Sequence, residues 1–286
     1  MFSNKVSEIM TRNLTTAPVT SSVFDVIEAM VARDVGRIIV TDDKVPVGIF
    51  TEKDVVKRVV HAAIAARDTQ IKTVMTAPVH AVQEETHIID AFAQMYRGKY
   101  RHLLVRGRHG KIIGIVSMRR ILNIAVELGQ GLSETRTLGD IATGAIQTMN
   151  ADASVKETVA VMNNNNITAV IVTDAGKPTG IFTERDVLRR VAAKELPPDA
   201  TPVKQVMTAP IITMPQTALV GDVLAEMYRR DIRNLPVKAE NGEITGLISM
   251  PEILQYAQAF NVDEQVRRSW KEVAELLDTE DQYTPG

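Results

Sequence analysis

Gly48-Ile49-Phe50-Thr51-Glu52-Lys53-Asp54-Val55 returns 132 residues later as Gly180-Ile181-Phe182-Thr183-Glu184-Arg185-Asp186-Val187. Two looser copies lie at Gly114-Ile115-Val116-Ser117 and Gly246-Leu247-Ile248-Ser249. The glycines are spaced 114−48, 180−114 and 246−180, each 66. A fixed period of this kind signals a repeat architecture. Each copy has a matching start: Ile9-Met10-Thr11, Val74-Met75-Thr76, Ile141-Ala142-Thr143 and Val206-Met207-Thr208. Each also has a short apolar strand: Ile38-Ile39-Val40, Leu103-Leu104-Val105, Val170-Ile171-Val172 and Leu235-Pro236-Val237.

A second period is nested in the first. Val40 to Gly48 and Val172 to Gly180 are both 8 apart, whereas Val105 to Gly114 and Val237 to Gly246 are both 9 apart. The duplicated unit is therefore a pair of repeats. Within a repeat the pattern predicts a short first strand, as near Val79–Val82 in the second copy. A helix over Ser22–Arg33 follows, with Ile27, Met30 and Val31 at helical spacing. Strands Arg37–Thr41 and Val47–Thr51 then flank a turn at Asp42-Asp43-Lys44. A second helix over Glu52–Ala66 closes the unit, with Val55, Val56, Val59, Val60 and Ala63 on one face. The Asn163–Asn166 run reads as a helix C-cap. One such unit buries too little to stand alone, so pairing is expected.

Composition sets the outer bounds. The 286 residues are 45% hydrophobic and 24% charged, with net charge −2 and no cysteine. Disulfides, thiolate nucleophiles and cysteine-ligated metals are excluded. No global basic field recruits nucleic acid or anionic membrane, and 4% aromatics argue against base-stacking surfaces. No apolar run reaches the roughly 20 residues of a membrane span, and Met1–Met10 lacks a signal-peptide core. A cytoplasmic location is the expectation. The five histidines, His61, His80, His87, His102 and His109, have no metal-ligand spacing. Neither Gly-x-Gly-x-x-Gly nor a phosphate-loop lysine motif occurs.

Chemistry concentrates at Thr51-x-x-Asp54, Ser117-x-x-Arg120, Thr183-x-x-Asp186 and Ser249-x-x-Glu252. A hydroxyl residue followed three positions later by an acid is a capping box. The same carboxylate, an acceptor without donors, also suits paired ribose hydroxyls. Arg120 cannot accept from a hydroxyl, and Glu252 makes an orthodox box with Ser249.

In layout, period and the Gly-h-h-[Ser/Thr]-x-x-Asp signature, residues 6–260 resemble four CBS domains, the module named for cystathionine β-synthase. The resemblance implies an α/β fold of four β-α-β-β-α repeats in two pseudo-two-fold pairs, which can close into one flat disc as in the gamma subunit of AMP-activated protein kinase. Expected boundaries are 6–66, 67–128, 138–196 and 197–260 for the repeats, 129–137 for a linker, and 261–286 for an acidic C-terminal helix and tail.

The resemblance makes Asp54 and Asp186 ribose ligands with Thr51 and Thr183 beside them, one intact site per pair. It also implies that each site is shared within its pair. Asp54 would then lie near Met75, His80, Tyr100, Arg101 and His102, and Asp186 near Met207, Ile212, Ile232 and Arg233. Arg101 and Arg233 align at the 132 offset and match basic phosphate-binding positions, a role that bidentate arginine suits. Without that context each reads equally well as a solvated surface arginine. Ile49 and Ile181 would line the base slot. Arg37 is a weaker candidate in the degenerate site of pair one, where repeat three has Ala169.

The implied function is non-enzymatic and regulatory. AMP, ADP or ATP would bind between paired repeats, and occupancy would pass to a protein partner or a second copy. A ligand-free interaction scaffold and a sensor of an S-adenosylmethionine-type ligand are the alternatives. No obligatory cofactor, metal, nucleic acid or membrane is expected. The tail carries seven acids and three bases, and a helix from Asp263 would align Val266, Trp270, Val273 and Leu277. It reads either as folded back on the last repeat or as a partner contact.

Overall fold

The computed structural model describes residues 4–98, 100–127, 137–141, 146–249 and 253. The start at Ala142-Thr143, most of the linker 129–137 and the tail helix around Trp270 lie outside these residues. Among the described residues the 66-residue period folds as four three-stranded sheets.

The first period holds α1 (Val6–Ile9), β1 (Thr16–Pro18), α2 (Val23–Ala32), β2 (Arg37–Asp42), β3 (Val45–Thr51) and α3 (Glu52–Asp54). The second holds β4 (Ala81–Gln83), α4 (Ile88–Arg97), β5 (His102–Arg106), β6 (Ile112–Ser117) and α5 (Met118–Glu127). The third runs α6 (Leu138–Ile141), β7 (Thr148–Asn150), α7 (Val155–Asn164), β8 (Ala169–Asp174), β9 (Lys177–Thr183) and α8 (Glu184–Asp186). The fourth has β10 (Met214–Pro215), α9 (Val220–Arg229), β11 (Asn234–Lys238) and β12 (Ile244–Ser249).

In every period the first two strands are parallel across a helical crossover, and the last two form an antiparallel hairpin. The chemistry of the ends accounts for the elements. Ser22 accepts the Asp25 N–H at 3.0 Å, and Ser154 forms a capping box with Glu157. Asp43 and Lys44 take positive φ of 44° and 67° at the hairpin turn. Asn165 caps α7 and Asn166 follows at φ 52°, as the asparagine run predicts.

Two expectations shift. The first strand of repeat two begins at Ala81 rather than Val79. The closing helix does not run regularly to Ala66. After Asp54 it widens into a π-helical stretch, Val55–Val60, with His61 N–H bonding Val56 O at 2.9 Å. Crowded β-branched valines weaken the tighter α-helical ladder here. Repeat three repeats the feature over Val187–Val191.

Packing follows two rules. Within a pair the sheets face each other: Ile39 meets Leu104 and Ile115 in pair one, while Ile171 and Ile181 meet Leu247 in pair two. Between pairs the helices pack. Ile27, Met30 and Val59 of repeat one join Val159, Met162 and Val191 of repeat three, while Met95 and Ile121 of repeat two join Val223 and Met227 of repeat four. Repeat one thus faces repeat three and repeat two faces four, as a pseudo-two-fold interface requires.

The starts of the periods cross over. Thr76 and Ile49 exchange both backbone hydrogen bonds at 2.9 and 2.8 Å, as do Thr208 and Ile181. Thr11 pairs likewise with Ile115. Each of these starts therefore extends the sheet of the other repeat in its pair. The approach is tight. A Cβ on Gly180 would stand 2.9 Å from the Thr208 carbonyl oxygen, whereas the three atoms nearest to one on Gly48 all belong to the Met75 side chain, with Cγ at 2.9 Å. Thioethers move and paired backbone does not. We expect Gly180→Ala to destabilise the fold by about 1–3 kcal/mol and Gly48→Ala by distinctly less. Urea midpoints of the two variants test this, and equal losses would refute the backbone-contact explanation.

Candidate functional site

Asp54 and Asp186 begin the closing helices and are 7% and 5% exposed. One oxygen of Asp54 accepts the Thr51 N–H at 2.9 Å and the Thr51 hydroxyl at 2.7 Å. The other accepts the Thr76 hydroxyl at 3.1 Å and lies 3.4 Å from Arg58. Asp186 repeats this with Thr183 at 2.9 and 2.7 Å, Thr208 at 2.9 Å and Arg190 at 3.3 Å. Burial pushes the Asp186 carboxyl up, against the pull of Thr183, Thr208 and Arg190.

Two cavities open beside these acids. The larger, about 810 Å³, is lined by Ile49, Thr51, Asp54, His80, Tyr100, Arg101 and His102. The rings of His80 and Tyr100 stack on its wall, 4.2 Å apart and 10° from parallel. The second, about 450 Å³, is lined by Ile181, Thr183, Asp186, Ile232 and Arg233. Thr51, Arg101 and His102 line both.

Three expected residues are elsewhere. Met75 and Met207 pack beneath Gly48 and Gly180, against the helical core. Ile212 packs on the core of repeats two and four. The methionines are misplaced by one position. In an extended segment alternate side chains face opposite ways, so Thr76 and Thr208 reach the acids instead. The repeated Met-Thr of the starts is the signal that could have found them.

Arg101 and Arg233 are also not simply partners of their own pair's acid. Arg101 lies 3.6 Å from Glu184 of repeat three, and Arg233 forms a forked ion pair with Glu52 of repeat one. At the 132 offset these are the same contact made twice. Gly36 makes room, because a Cβ there would stand 3.0 Å from both Glu52 and Arg233. Arg185 bonds Asp231 at 2.6 Å and lies 3.8 Å from Glu52.

Arg37 also points into this junction, lining the second cavity. Burial, then Arg233, lowers its pKa to about 10, with Glu52 opposing. Burial and then Arg37, Arg101 and Arg233 hold His102 well below the usual imidazole range. Burial raises the Glu184 carboxyl while Arg101 opposes it. The meeting point of the cavities is therefore a buried, cation-rich hub. Among the described residues no cluster of His, Asp or Glu has the makings of a metal site, and no helix is long and apolar enough to cross a membrane.

The model of the family described as CBS domain matches residues 6–61, 71–127, 138–193 and 203–259. CBS domain-containing protein CBSCBSPB1 of Arabidopsis thaliana is 25% identical over 283 residues, covering 85% of this chain and 52% of its own length. Protein MJ1404 of Methanocaldococcus jannaschii is 26% identical over 272 residues, covering 90% of this chain and 62% of its own. The chain thus spans about half to three fifths of the length of these curated relatives. Among solved structures, MJ1225 of Methanocaldococcus jannaschii, a proposed archaeal homologue of the AMPK γ subunit, superposes with TM-score 0.75 at 18% identity. That match covers 88% of this chain and 99% of MJ1225.

The hub makes a pH prediction. A carboxyl with a raised folded pKa loses stability as pH climbs through the window from its unfolded value to that raised value. Removing Arg101 raises Glu184 further and relieves His102, whose depressed pKa otherwise costs stability on acidification. Both effects make the loss in Arg101→Ala, about 1–3 kcal/mol near pH 7.5, shrink toward pH 5. Thermal melts at the two pH values test this, and a deficit independent of pH would count against the pairing.

Proposed function

The chain belongs to the CBS domain family, and on that premise we propose that it is a non-enzymatic regulatory protein that binds an adenine nucleotide (AMP, ADP or ATP) in the clefts of its paired repeats. The observation that carries this reading is Asp54, a buried carboxylate in an 810 Å³ cavity that also holds Arg101. A ribose diol entering there replaces the Thr51 and Thr76 hydroxyls as donors to Asp54, using the acceptor-only chemistry of a carboxylate. The stacked His80 and Tyr100 offer a flat face and Ile49 an apolar edge for the base. Arg101 and His102 stand where the cavities meet, on the side suited to phosphate. Asp186, Thr183, Ile181 and Arg233 would form the second site.

Because Arg101 and Arg233 hold Glu184 and Glu52, a phosphate that draws on them alters the contact between pairs. Ligand energy would reach a protein partner or a second copy through that contact, with reciprocal coupling. We place this activity in the cytoplasm.

One observation favours the scaffold alternative: both acids already have their oxygens engaged within the chain. Thermal shift separates the readings. A ligand at 100 times its Kd stabilises the fold by about 2.7 kcal/mol, so AMP, ADP or ATP should raise the melting temperature with concentration. Asp54→Ala lowers the baseline through its lost cap, but the decisive quantity is the ligand-induced rise. That rise should fall in Asp54→Ala and vanish when Asp186→Ala is added. An undiminished rise in the double variant would sink the site assignment. No rise with any nucleotide favours the scaffold, and a rise with S-adenosylmethionine alone favours the third reading.

A further inference from the structure

The first helices of three repeats end on the same device. Just past the C-caps of α2, α7 and α9, Asp34, Asn166 and Asp231 take left-handed backbone with φ of 52°, 52° and 54°. Aspartate and asparagine tolerate that conformation. Each then meets a cation of a closing helix. Asn166 accepts from Lys53 at 3.0 Å, Asp34 pairs with Arg189, and Asp231 pairs with Arg185 at 2.6 Å and with Arg119. These contacts differ in charge between the cavities. Asp34, Asp231 and their three arginines line the second cavity, whereas Asn166 and Lys53 line the first. At the 132 offset Asp34 corresponds to Asn166, and Asp231 to Lys99. The side chains of Asp34 and Asp231 are 73% and 51% exposed, against 6% for Asp186, so two carboxylates stand outside the buried one. Against the upward push of burial, Arg185 and Arg119 hold the Asp231 carboxyl below its usual range, so it is charged at neutral pH. Among the described residues, Lys53 and Arg97 of the first cavity form no ion pair.

We propose that Asp34 and Asp231 are specificity residues of the second site, which make it select a nucleoside monophosphate over the triphosphate. The inference rests on the nucleotide reading above and deepens it. A carboxylate only accepts. It offers a phosphate no donor, and it takes up guanidinium donors that a phosphate would use. Each phosphoryl group beyond the first adds charge that must either face the two carboxylates or displace them from their arginines. Discrimination of this kind penalises the wrong ligand rather than gripping the right one more tightly. The first cavity, with Asn166 and in sequence Lys99 at the corresponding positions, carries no such penalty.

Calorimetric titration of the full-length Asp54→Ala chain with AMP and ATP, free of divalent cations, reads the second site. AMP should bind about tenfold more tightly than ATP, the scale of two or three partly exposed ion pairs given up together. Adding Asp34→Asn and Asp231→Asn should tighten ATP, leave AMP within about twofold and bring the ratio below about threefold. Asparagine keeps the left-handed turn, as Asn166 does, so the added exchanges should leave the melting temperature near that of the Asp54→Ala chain. The converse exchange, Asn166→Asp in an Asp186→Ala chain, should weaken ATP relative to AMP at the first site. If ATP binds the Asp54→Ala chain as tightly as AMP, or if the exchanges leave the ratios unchanged, the specificity assignment is overturned, while binding that disappears on adding Asp186→Ala keeps the nucleotide reading intact. If the Asp54→Ala chain binds neither ligand and the parent chain does, the assignment falls and the first site stands. If the parent chain binds no nucleotide, both readings fall together.

Discussion

The starts at Thr76 and Thr208 give their backbone hydrogen bonds to the other repeat of their pair, and the site chemistry hangs from those bonds. Thr76 is fixed against Ile49 and Thr208 against Ile181. A backbone pairing of this kind sets which side chain faces which way, because the alternation of an extended chain admits no half-steps. It therefore brings the threonine hydroxyls, rather than the methionine thioethers, to Asp54 and Asp186. The same pairing excludes a Cβ at Gly180, so the signature glycine is a steric requirement of the crossover. Arg58 and Arg190 complete the clamp by donating to the carbonyls of Val74 and Val206, just ahead of those threonines.

The second level of organisation is electrostatic. Burying Glu52 and Glu184 costs desolvation, and arginines supplied by the opposite pair offset it. Such pairs contribute little net stability compared with apolar packing, which here comes from the helices around Ile27 and Met162. Their effect is directional. Arg101 reaches Glu184 of the opposite pair, and Arg233 reaches Glu52, so the hub favours one mutual setting of the two pairs. Arg37 adds a further buried cation, and its depressed pKa records the cost of burying it. Under the proposed function, phosphate supplies additional negative charge from outside.

Much of this is legible in the sequence, for a physical reason. The period, the strands and the first helices are written in local apolar patterning and caps, and the 132 offset alone relates Arg101 to Arg233. The acids Asp54 and Asp186 stand out because a capping box is a local motif. What stays hidden is non-local. No spacing reveals that Arg101 meets Glu184 across the pairs, since that depends on how two folded units dock. Apolarity alone points to the methionines rather than the threonines, because it cannot phase strand alternation in so short a start. The π-helical stretch at Val55–Val60 is hidden for a similar reason, as its apolar face also suits a regular helix.

The two cavities, related by duplication, have diverged where duplication leaves freedom. The structural frame is kept: Thr51 and Thr183, Asp54 and Asp186, Arg101 and Arg233 all correspond. The walls are not. His80 and Tyr100 of the first cavity correspond to Ile212 and Ile232, so an aromatic stack gives way to aliphatic groups, one of which leaves the cavity. The second cavity is crossed by ion pairs, Arg185 and Arg119 with Asp231 and Arg189 with Asp34. A ligand entering it must separate charges that already satisfy one another, whereas the first cavity has fewer such pairs across its mouth among the described residues. Under the proposed function, equal frames with unequal walls would give unequal affinities, and the reciprocal arginines would tie the weaker site's state to occupancy of the stronger one.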